Sequence, residues 1–367
     1  MRSLAIGSLS IRDFRNLAKV DIDLGPRFNV LFGENGQGKT NLLEAVYVLA
    51  TSRSFRTARL EDLVASGGET ASIRGHVVET GEEREQSVGM RRGLRATRID
   101  GKRPPSLAAY ALRTPVVVFH PGAMTLSAGA GIERRRLLDR IALHLSPASL
   151  EHGVSYGKAM RARQRVLENR GQDAGDLDGW EELMVRHGAA LGEARAAAAG
   201  QLIPAAHRAF ARIGPAGLEL DARYEPGAPQ DAAAFRAELA KNRRRDGARG
   251  SATVGPHRDE LTLRLGERAV RGMASQGQHR AVVLALELGE IAVVTATRGV
   301  RPVLLLDDVS SELDRERTAS LLDALREEQG QVLLTTTRPE LIEAAGLCGV
   351  EGRLSFRVVD GTITAMG

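Results

Sequence analysis

The chain has 367 residues, a formal charge of +5, a pI near 9.7 and one cysteine, Cys348. That length leaves room for two lobes, and the cysteine count excludes a disulfide framework and suits a reducing cytoplasm. No apolar run reaches membrane-spanning length and the N-terminus carries no secretory apolar segment, so a soluble, non-membrane protein is expected.

The first 120 residues read as α/β material. "LSIRDFRNLAKVDIDL" alternates as strand, turn and strand. Phe28, Val30, Leu31 and Phe32 then form a buried-strand run, and Leu42, Leu43, Ala45 and Val46 have helical spacing. Between them Gly33-Glu34-Asn35-Gly36-Gln37-Gly38-Lys39-Thr40 satisfies G-x-x-x-x-G-K-[ST] in the required strand–loop–helix order. The glycines let backbone N–H groups turn inward around phosphates, and the helix N-terminus adds partial positive charge. Lys39 is placed to reach β- and γ-phosphates, and the Thr40 hydroxyl to hold Mg²⁺. "ASIRGHVVET" and "QSVGMRRGLRATRIDG" follow as antiparallel strands, and "TPVVVF" as a buried one.

From about Ile132 to Ala240 the pattern is helical, interrupted by "GQDAGDLDG" at 171–179, with further breaks expected at Pro204 and Pro215. Paired antiparallel helices are predicted, with Trp180 as a packing residue. The α/β pattern returns with "LTLRL", an apolar helix over 277–297, and the strands "PVLLLDD" and "QVLLTTT". The phosphate loop and this last section therefore belong to one sheet, with the helical segment inserted.

Arginines gather in four places: Arg91, Arg92, Arg95 and Arg98; Arg134, Arg135, Arg136 and Arg140; Arg161, Arg163 and Arg165; and Arg243, Arg244 and Arg245 beside Lys241. Such clusters are solvated faces or contacts to a polyanion, and four of them favour nucleic acid. Arg134, Arg135, Arg136, Arg243, Arg244 and Arg245 are the first candidates for DNA contact.

The apolar run Val303–Leu306 ends in Asp307 and Asp308. Carboxylates at the end of a strand, beside a phosphate loop, suit a Mg²⁺ ligand (Asp307) and a group that orients or deprotonates water (Asp308). Ser311-Glu312-Leu313-Asp314 comes three residues on. Upstream, Ser275-Gln276-Gly277-Gln278 opens the apolar helix and makes a second anion site. One nucleotide does not need two such helix starts from one chain. Two chains facing head to tail do.

This ordered set resembles the ABC-type ATPases, whose signature, Walker B and D-loop follow in that order. The interval from phosphate loop to signature is about twice that of a transporter, and far shorter than the coiled-coil insertions of structural-maintenance-of-chromosomes proteins. The arrangement resembles the RecF family. The matching stretches are "LSIRDFRNL", "GENGQGKTNLLEAVY", "SRSFR", "ERRRLLDR", "GPHRDEL", "SQGQHRAVVLALELGE" and "LLLDDVSSELD". The resemblance implies an α/β, ABC-type P-loop ATPase head, a mixed sheet with flanking helices, carrying an inserted helical arm. The head comprises residues 1–130 and 251–367, and the arm residues 131–250. It further implies Arg15 and Asn16 beside ATP, Asn35 through Asn41 as the phosphate pocket, and Ser275, Gln276 and Gly277 acting across a homodimer. The implied function is ATP-dependent binding of double-stranded DNA near single-strand junctions, with slow hydrolysis, helping RecO and RecR to load RecA.

Some positions depart from the pattern. His120-Pro121-Gly122 stands where transporters have Gln, Ala123-Met124 replaces an acidic-leucine pair, Asp308 stands where many ABC ATPases have Glu, and no histidine lies near Thr337. His257, Arg258 and Asp259 form either a structural turn or a chemical site. The rival readings are a transport or metabolite-coupled ATPase and a binding module in which ATP is structural.

Overall fold

β1 (Leu4–Phe14) and β2 (Leu17–Asp23) form a hairpin across Arg15 and Asn16, burying one face of each strand. β3 (Phe28–Phe32) differs: Phe28 through Leu31 are all buried, as in a central parallel strand. α1 (Lys39–Thr51) follows the phosphate loop, then β4 (Thr70–Glu79), β5 (Glu82–Arg91), β6 (Leu94–Ile99), α2 (Leu107–Ala111) and β7 (Val116–Phe119). The structure is a computed structural model and describes residues 2–308, 330–338 and 351–366. Ser311–Asp314 and Cys348 lie outside the described residues.

The next stretch holds α3 (Thr125–Ala128), α4 (Gly131–Leu145), α5 (Ser149–Arg170), α6 (Leu177–Ile213), β8 (Leu220–Glu225), α7 (Ala232–Lys241) and α8 (Arg243–Arg249). It continues with β9 (Glu260–Leu265), β10 (Arg268–Ala269) and α9 (Gln276–Arg298). α5 packs on α6, and Trp180 is a packing residue between two small clusters, one holding Tyr156 and Phe235 and the other Val166 and Leu177. Two details depart from the sequence reading. Pro204 lies inside α6 rather than ending it. A mid-helix proline costs about 3 kcal/mol, but Leu202, Ala205, Ala206 and Phe210 around it are buried, and that packing offsets the lost hydrogen bond. A strand, β8, also lies within the segment read as helical, because Leu220 starts an alternation that pairs with β9.

β11 (Val303–Leu306), β12 (Val332–Thr336), β13 (Leu354–Val359) and β14 (Thr362–Met366) complete the described strands. They join β3 and β7 in a mixed sheet of order β14-β13-β3-β12-β11-β7, parallel except for the β13–β14 pair. A second sheet, β2-β1-β4-β5-β6, is antiparallel, as is β10-β9-β8. One apolar core joins Leu42, Val46 and Leu49 of α1 to Ile11 and Ile73 of the antiparallel sheet and to Leu31, Leu305 and Leu333 of the mixed one. α1 is thereby fixed behind the phosphate loop.

The chain divides into two compact units, Met1–Ala123 with Val294–Gly367, and Met124–Val293. The second takes in the expected 131–250 insertion together with β9, β10 and most of α9, since β9 pairs with β8. Among the described residues, no helix is long and apolar enough to cross a membrane.

Candidate nucleotide site

The first unit gathers its polar residues where the parallel strands end. Residues 33–38 leave β3 and enter α1 with Gly33 at φ +156° and Gly36 at +81°. A Cβ on Gly33 would stand 2.4 Å from the Val358 carbonyl oxygen, so β13 admits only glycine there, while Gly36 faces open space. α1 has no side-chain cap at its N-terminus, and its first N–H groups are left to an incoming anion. From the far side, the β13–β14 turn clasps the loop: the Gly361 N–H donates to the Gln37 carbonyl at 2.9 Å and the Asp360 N–H to Gln37 Oε1.

Lys39 Nζ donates to the Gly33 and Glu34 carbonyls, each at 2.7 Å, inside the loop it is expected to serve. Burial lowers its pKa, opposed by the carboxylates of Asp308, Asp307 and Glu34. Beside it the Thr40 hydroxyl donates to Asp307, 2.8 and 3.0 Å from the two carboxylate oxygens. Thr335 of β12, the strand between β3 and β11, donates to Asp307 Oδ1 at 2.9 Å and accepts from the Asp308 N–H at 2.8 Å. Burial raises the Asp307 pKa against these hydrogen bonds, and the Asp308 charge adds to the rise. Lys39, Thr40, Asp307 and Asp308 are thus brought together as the sequence predicts.

Asp308 has φ +48°, in the left-handed region where Asp and Asn are enriched over other residues. That conformation gives a backbone reason for Asp, rather than the longer Glu, at this position.

Arg15 and Asn16 reach the loop by different routes. Asn16 accepts from Asn41 Nδ2 at 2.7 Å, and its amide lies 3.4 Å from the Gln37 carbonyl. Arg15 instead forms a two-pronged pair with Glu44, both contacts 3.0 Å, and Ser54 and Arg56 also bind that fully buried carboxylate. Arg56 further donates to Asn41 Oδ1 at 2.7 Å. Sequence reasoning assigns no role to Glu44, Thr335 or Arg56, although each lies in a stretch it marks. "SRSFR" stood out as a motif, but only the fold shows that its arginine closes on α1. His120 packs its ring on Phe55, with centroids 5.1 Å apart. Thr337 follows β12 and is half-buried.

In the second unit, Ser275 and Gln278 cap α9 reciprocally. Ser275 Oγ accepts from the Gln278 N–H at 3.3 Å, and Gln278 Oε1 accepts from the Ser275 N–H at 2.9 Å. Ser275 and Gln276 are exposed, and Gly277 follows them in the first turn. His279, next along the helix, is buried with Nδ1 2.9 Å from Ser127 Oγ.

The "GPHRDEL" segment is a structural turn. Asp259 accepts from Arg195 at 2.9 Å, Tyr224 at 2.7 Å and the Gly227 N–H at 2.8 Å. His257 bridges Tyr156, at 2.6 Å, and the Ala252 carbonyl, at 2.8 Å, while Arg258 donates to that same carbonyl.

The arginine clusters divide by orientation. Arg134 is buried against Glu260, with contacts at 2.7 and 3.0 Å, and Arg135 donates to the Asp259 carbonyl. Arg243 pairs with Glu181 and Asp178. Arg136 is exposed and pairs with Glu133, while Arg244 and Arg245 are exposed.

A glycine-bent loop ahead of a helix, a buried lysine at its end, and a hydroxyl–carboxylate pair reaching across β12 to the end of β11 define a P-loop nucleotide site on a mixed ABC-type sheet. The chain matches the RecF/RecN/SMC N-terminal domain family over residues 5–353. It is 40% identical over 357 residues to the DNA replication and repair protein RecF of Myxococcus xanthus, covering 94% of this chain and 93% of that one. It is 37% identical to the corresponding Geobacter sulfurreducens protein, covering 98% of this chain and 99% of that one. A solved structure of the recombination mediator protein RecF with ATP, in the RecFOR pathway, superposes with TM-score 0.87 and 26% identity, covering 100% of this chain and 98% of that one. An Smc head from Pyrococcus furiosus shares the fold, at TM-score 0.55 and 16% identity, covering 100% of this chain and 96% of that one. The chain belongs to the RecF family.

Proposed function

We propose that this protein is a cytoplasmic, ATP-dependent DNA-binding recombination mediator. The observation that carries the reading is the Thr40–Asp307–Thr335 linkage at the mouth of the phosphate loop. The Thr40 hydroxyl and Asp307 carboxylate oxygens are 2.8 and 3.0 Å apart, close to adjacent corners of a Mg²⁺ octahedron of radius about 2.1 Å. No described cluster of three or more His, Cys, Asp and Glu residues could hold a metal alone, which suits an ion shared with phosphates. When bound, Mg²⁺ supplies neutralising charge at the terminal phosphates. Lys39 leaves the carbonyls of Gly33 and Glu34 for the β- and γ-phosphates, the N–H groups of residues 35–41 hold the anion, and Asp308 orients the attacking water. Asn16 and Asn41 fix the loop's edge, and Arg15 holds α1 through Glu44.

In this reading ATP closes a head-to-tail homodimer in which Ser275, Gln276, Gly277 and Gln278 of one chain meet the nucleotide of the other. Slow hydrolysis resets it. The closed dimer holds double-stranded DNA near single-strand junctions and acts with RecO and RecR to load RecA at gaps and stalled forks. Family membership and the ATP-bound RecFOR-pathway neighbour support this role. Sedimentation with and without ATP, in the presence of duplex DNA, tests it: ATP should yield a dimer–DNA complex, and a monomer under every condition would overturn the reading.

Lys39→Met should weaken ATP binding by about 3 kcal/mol, on the order of a hundredfold, by removing charge-assisted hydrogen bonds to two phosphates. Without nucleotide it should be as stable as the parent, because the lost ammonium is one that burial disfavours. Calorimetric titration and thermal unfolding of the same sample separate the two effects.

Ser275→Arg should keep ATP binding and lose ATP-dependent dimerisation. Losing the cap costs the α9 start about 1 kcal/mol, so Ser275→Asn, which restores a capping group, controls for helix fraying. A normal ATP-dependent dimer in Ser275→Arg would exclude the head-to-tail arrangement.

A further inference from the structure

We propose that the outward face of α5, with the exposed arginines of α8, is a docking surface for the sugar-phosphate backbone of duplex DNA; this rests on the DNA-binding reading above. Lys158, Arg161 and Arg165 are all exposed. At 100° per residue they fall within about 60° of arc, and they span roughly 10 Å along the helix axis. None makes an ion pair or side-chain hydrogen bond with another described residue, whereas Arg163, in the same run of letters, points the other way into the interior. Arg161 lies back toward Gly157, where an added Cβ would come within 3.3 Å of its guanidinium. A larger residue at 157 would crowd that position.

α8 adds exposed cations beside α5. Gln164, beside Arg161 and Arg165 on α5, donates to the Asp246 carbonyl at 3.2 Å, and Arg163 binds the Asp246 carboxylate at 2.7 Å. These contacts seat α8 along the C-terminal half of α5. Arg244, Arg245 and Arg249 are exposed there and likewise lack a described carboxylate partner. Three cations on each helix thus stand against two flanking carboxylates on α5, Glu151 and Glu168.

Elsewhere in this unit Arg136 is tied to Glu133, Arg170 to Asp176 and Arg236 to Glu182, while Arg186, Arg208, Arg212, Arg223, Arg268 and Arg271 are exposed without an ion pair among the described residues. What sets α5 apart is three such cations within one narrow arc of a single helix. The α5–α8 surface leaves its cations unneutralised, and a polyanion would release counterions there. It presents no aromatic ring among these residues, and single strands are held by stacking as well as charge. Backbone contact to a duplex fits the surface better.

The test uses the full-length protein, ATP and a duplex carrying a gap. Two triple variants, Lys158→Ala/Arg161→Ala/Arg165→Ala and Arg244→Ala/Arg245→Ala/Arg249→Ala, remove only exposed cations, and circular dichroism and ATP titration confirm that they fold. Each should flatten the plot of log affinity against log salt by roughly 0.9 for every phosphate that its cations no longer neutralise, up to nearly three units. Replacing Arg161 and Arg165 by Lys should keep the slope. If the parent binds duplex and both triple variants retain its slope and affinity, the surface is not a DNA site, and an acidic protein becomes the better occupant. If the parent binds no duplex at any salt concentration, both this proposal and the functional reading fail.

Discussion

Asp308→Asn is expected to bind ATP as tightly as the parent and to hydrolyse it roughly 10²- to 10⁴-fold more slowly, the usual worth of a positioned general base. The substitution isolates the proton-accepting role because the fold already favours either residue. Asp308 has φ +48°, a conformation Asn adopts as readily as Asp. Its backbone N–H donates to Thr335 Oγ1, a contact that does not involve the carboxylate. Thr335, Asp307 and Thr40 keep their linkage, so the metal-side geometry survives. Single-turnover phosphate release should slow while ATP-dependent dimers accumulate on sedimentation. Parental turnover in Asp308→Asn would assign the water to another residue, and loss of ATP binding would place Asp308 in ground-state recognition instead.

The letters reveal parts of this site whose chemistry is local. The glycine spacing, Lys39 and Thr40 follow from the phosphate loop alone, and the apolar run before Asp307 marks the strand that delivers it. Contacts between distant segments leave no local trace. Thr335 reaches Asp307 because β12 lies between β3 and β11, and strand order is set by the whole fold. The family resemblance places Arg15 beside the nucleotide; its partner, Glu44, lies five residues past Lys39 on α1. The arginine clusters divide for a geometric reason: Arg161, Arg163 and Arg165 are neighbours in sequence, but at 100° per residue the middle one faces away from the other two. Periodicity could have separated them. The S-x-x-Q cap at Ser275 was equally open to reading, since Ser and Gln three residues apart before an apolar run are a capping signature.

The second large effect falls on the fold of the arm. Arg163 is fully buried, donating to Glu181 at 2.8 Å, to Asp246 at 2.7 Å and to the Leu239 carbonyl at 2.8 Å. One guanidinium therefore holds α6, α7 and α8 to α5. Arg163→Met should destabilise this unit by about 3–5 kcal/mol, because breaking a buried pair leaves the remaining charge uncompensated. The two partners are not equally exposed to that loss. Glu181 retains Arg243, which binds it at 2.6 and 3.0 Å. Asp246 keeps only the N–H and hydroxyl of Thr253, at 2.9 and 2.7 Å, among the described residues. Most of the cost therefore falls on Asp246, and Arg163→Met/Asp246→Asn should recover part of it, since removing both charges costs less than orphaning one. The single tryptophan, Trp180, packs within this unit, so its fluorescence in a urea titration follows the transition directly. A loss below about 1 kcal/mol in Arg163→Met, or a double variant no more stable than the single one, would mean that apolar packing rather than this ion cluster holds the helices together.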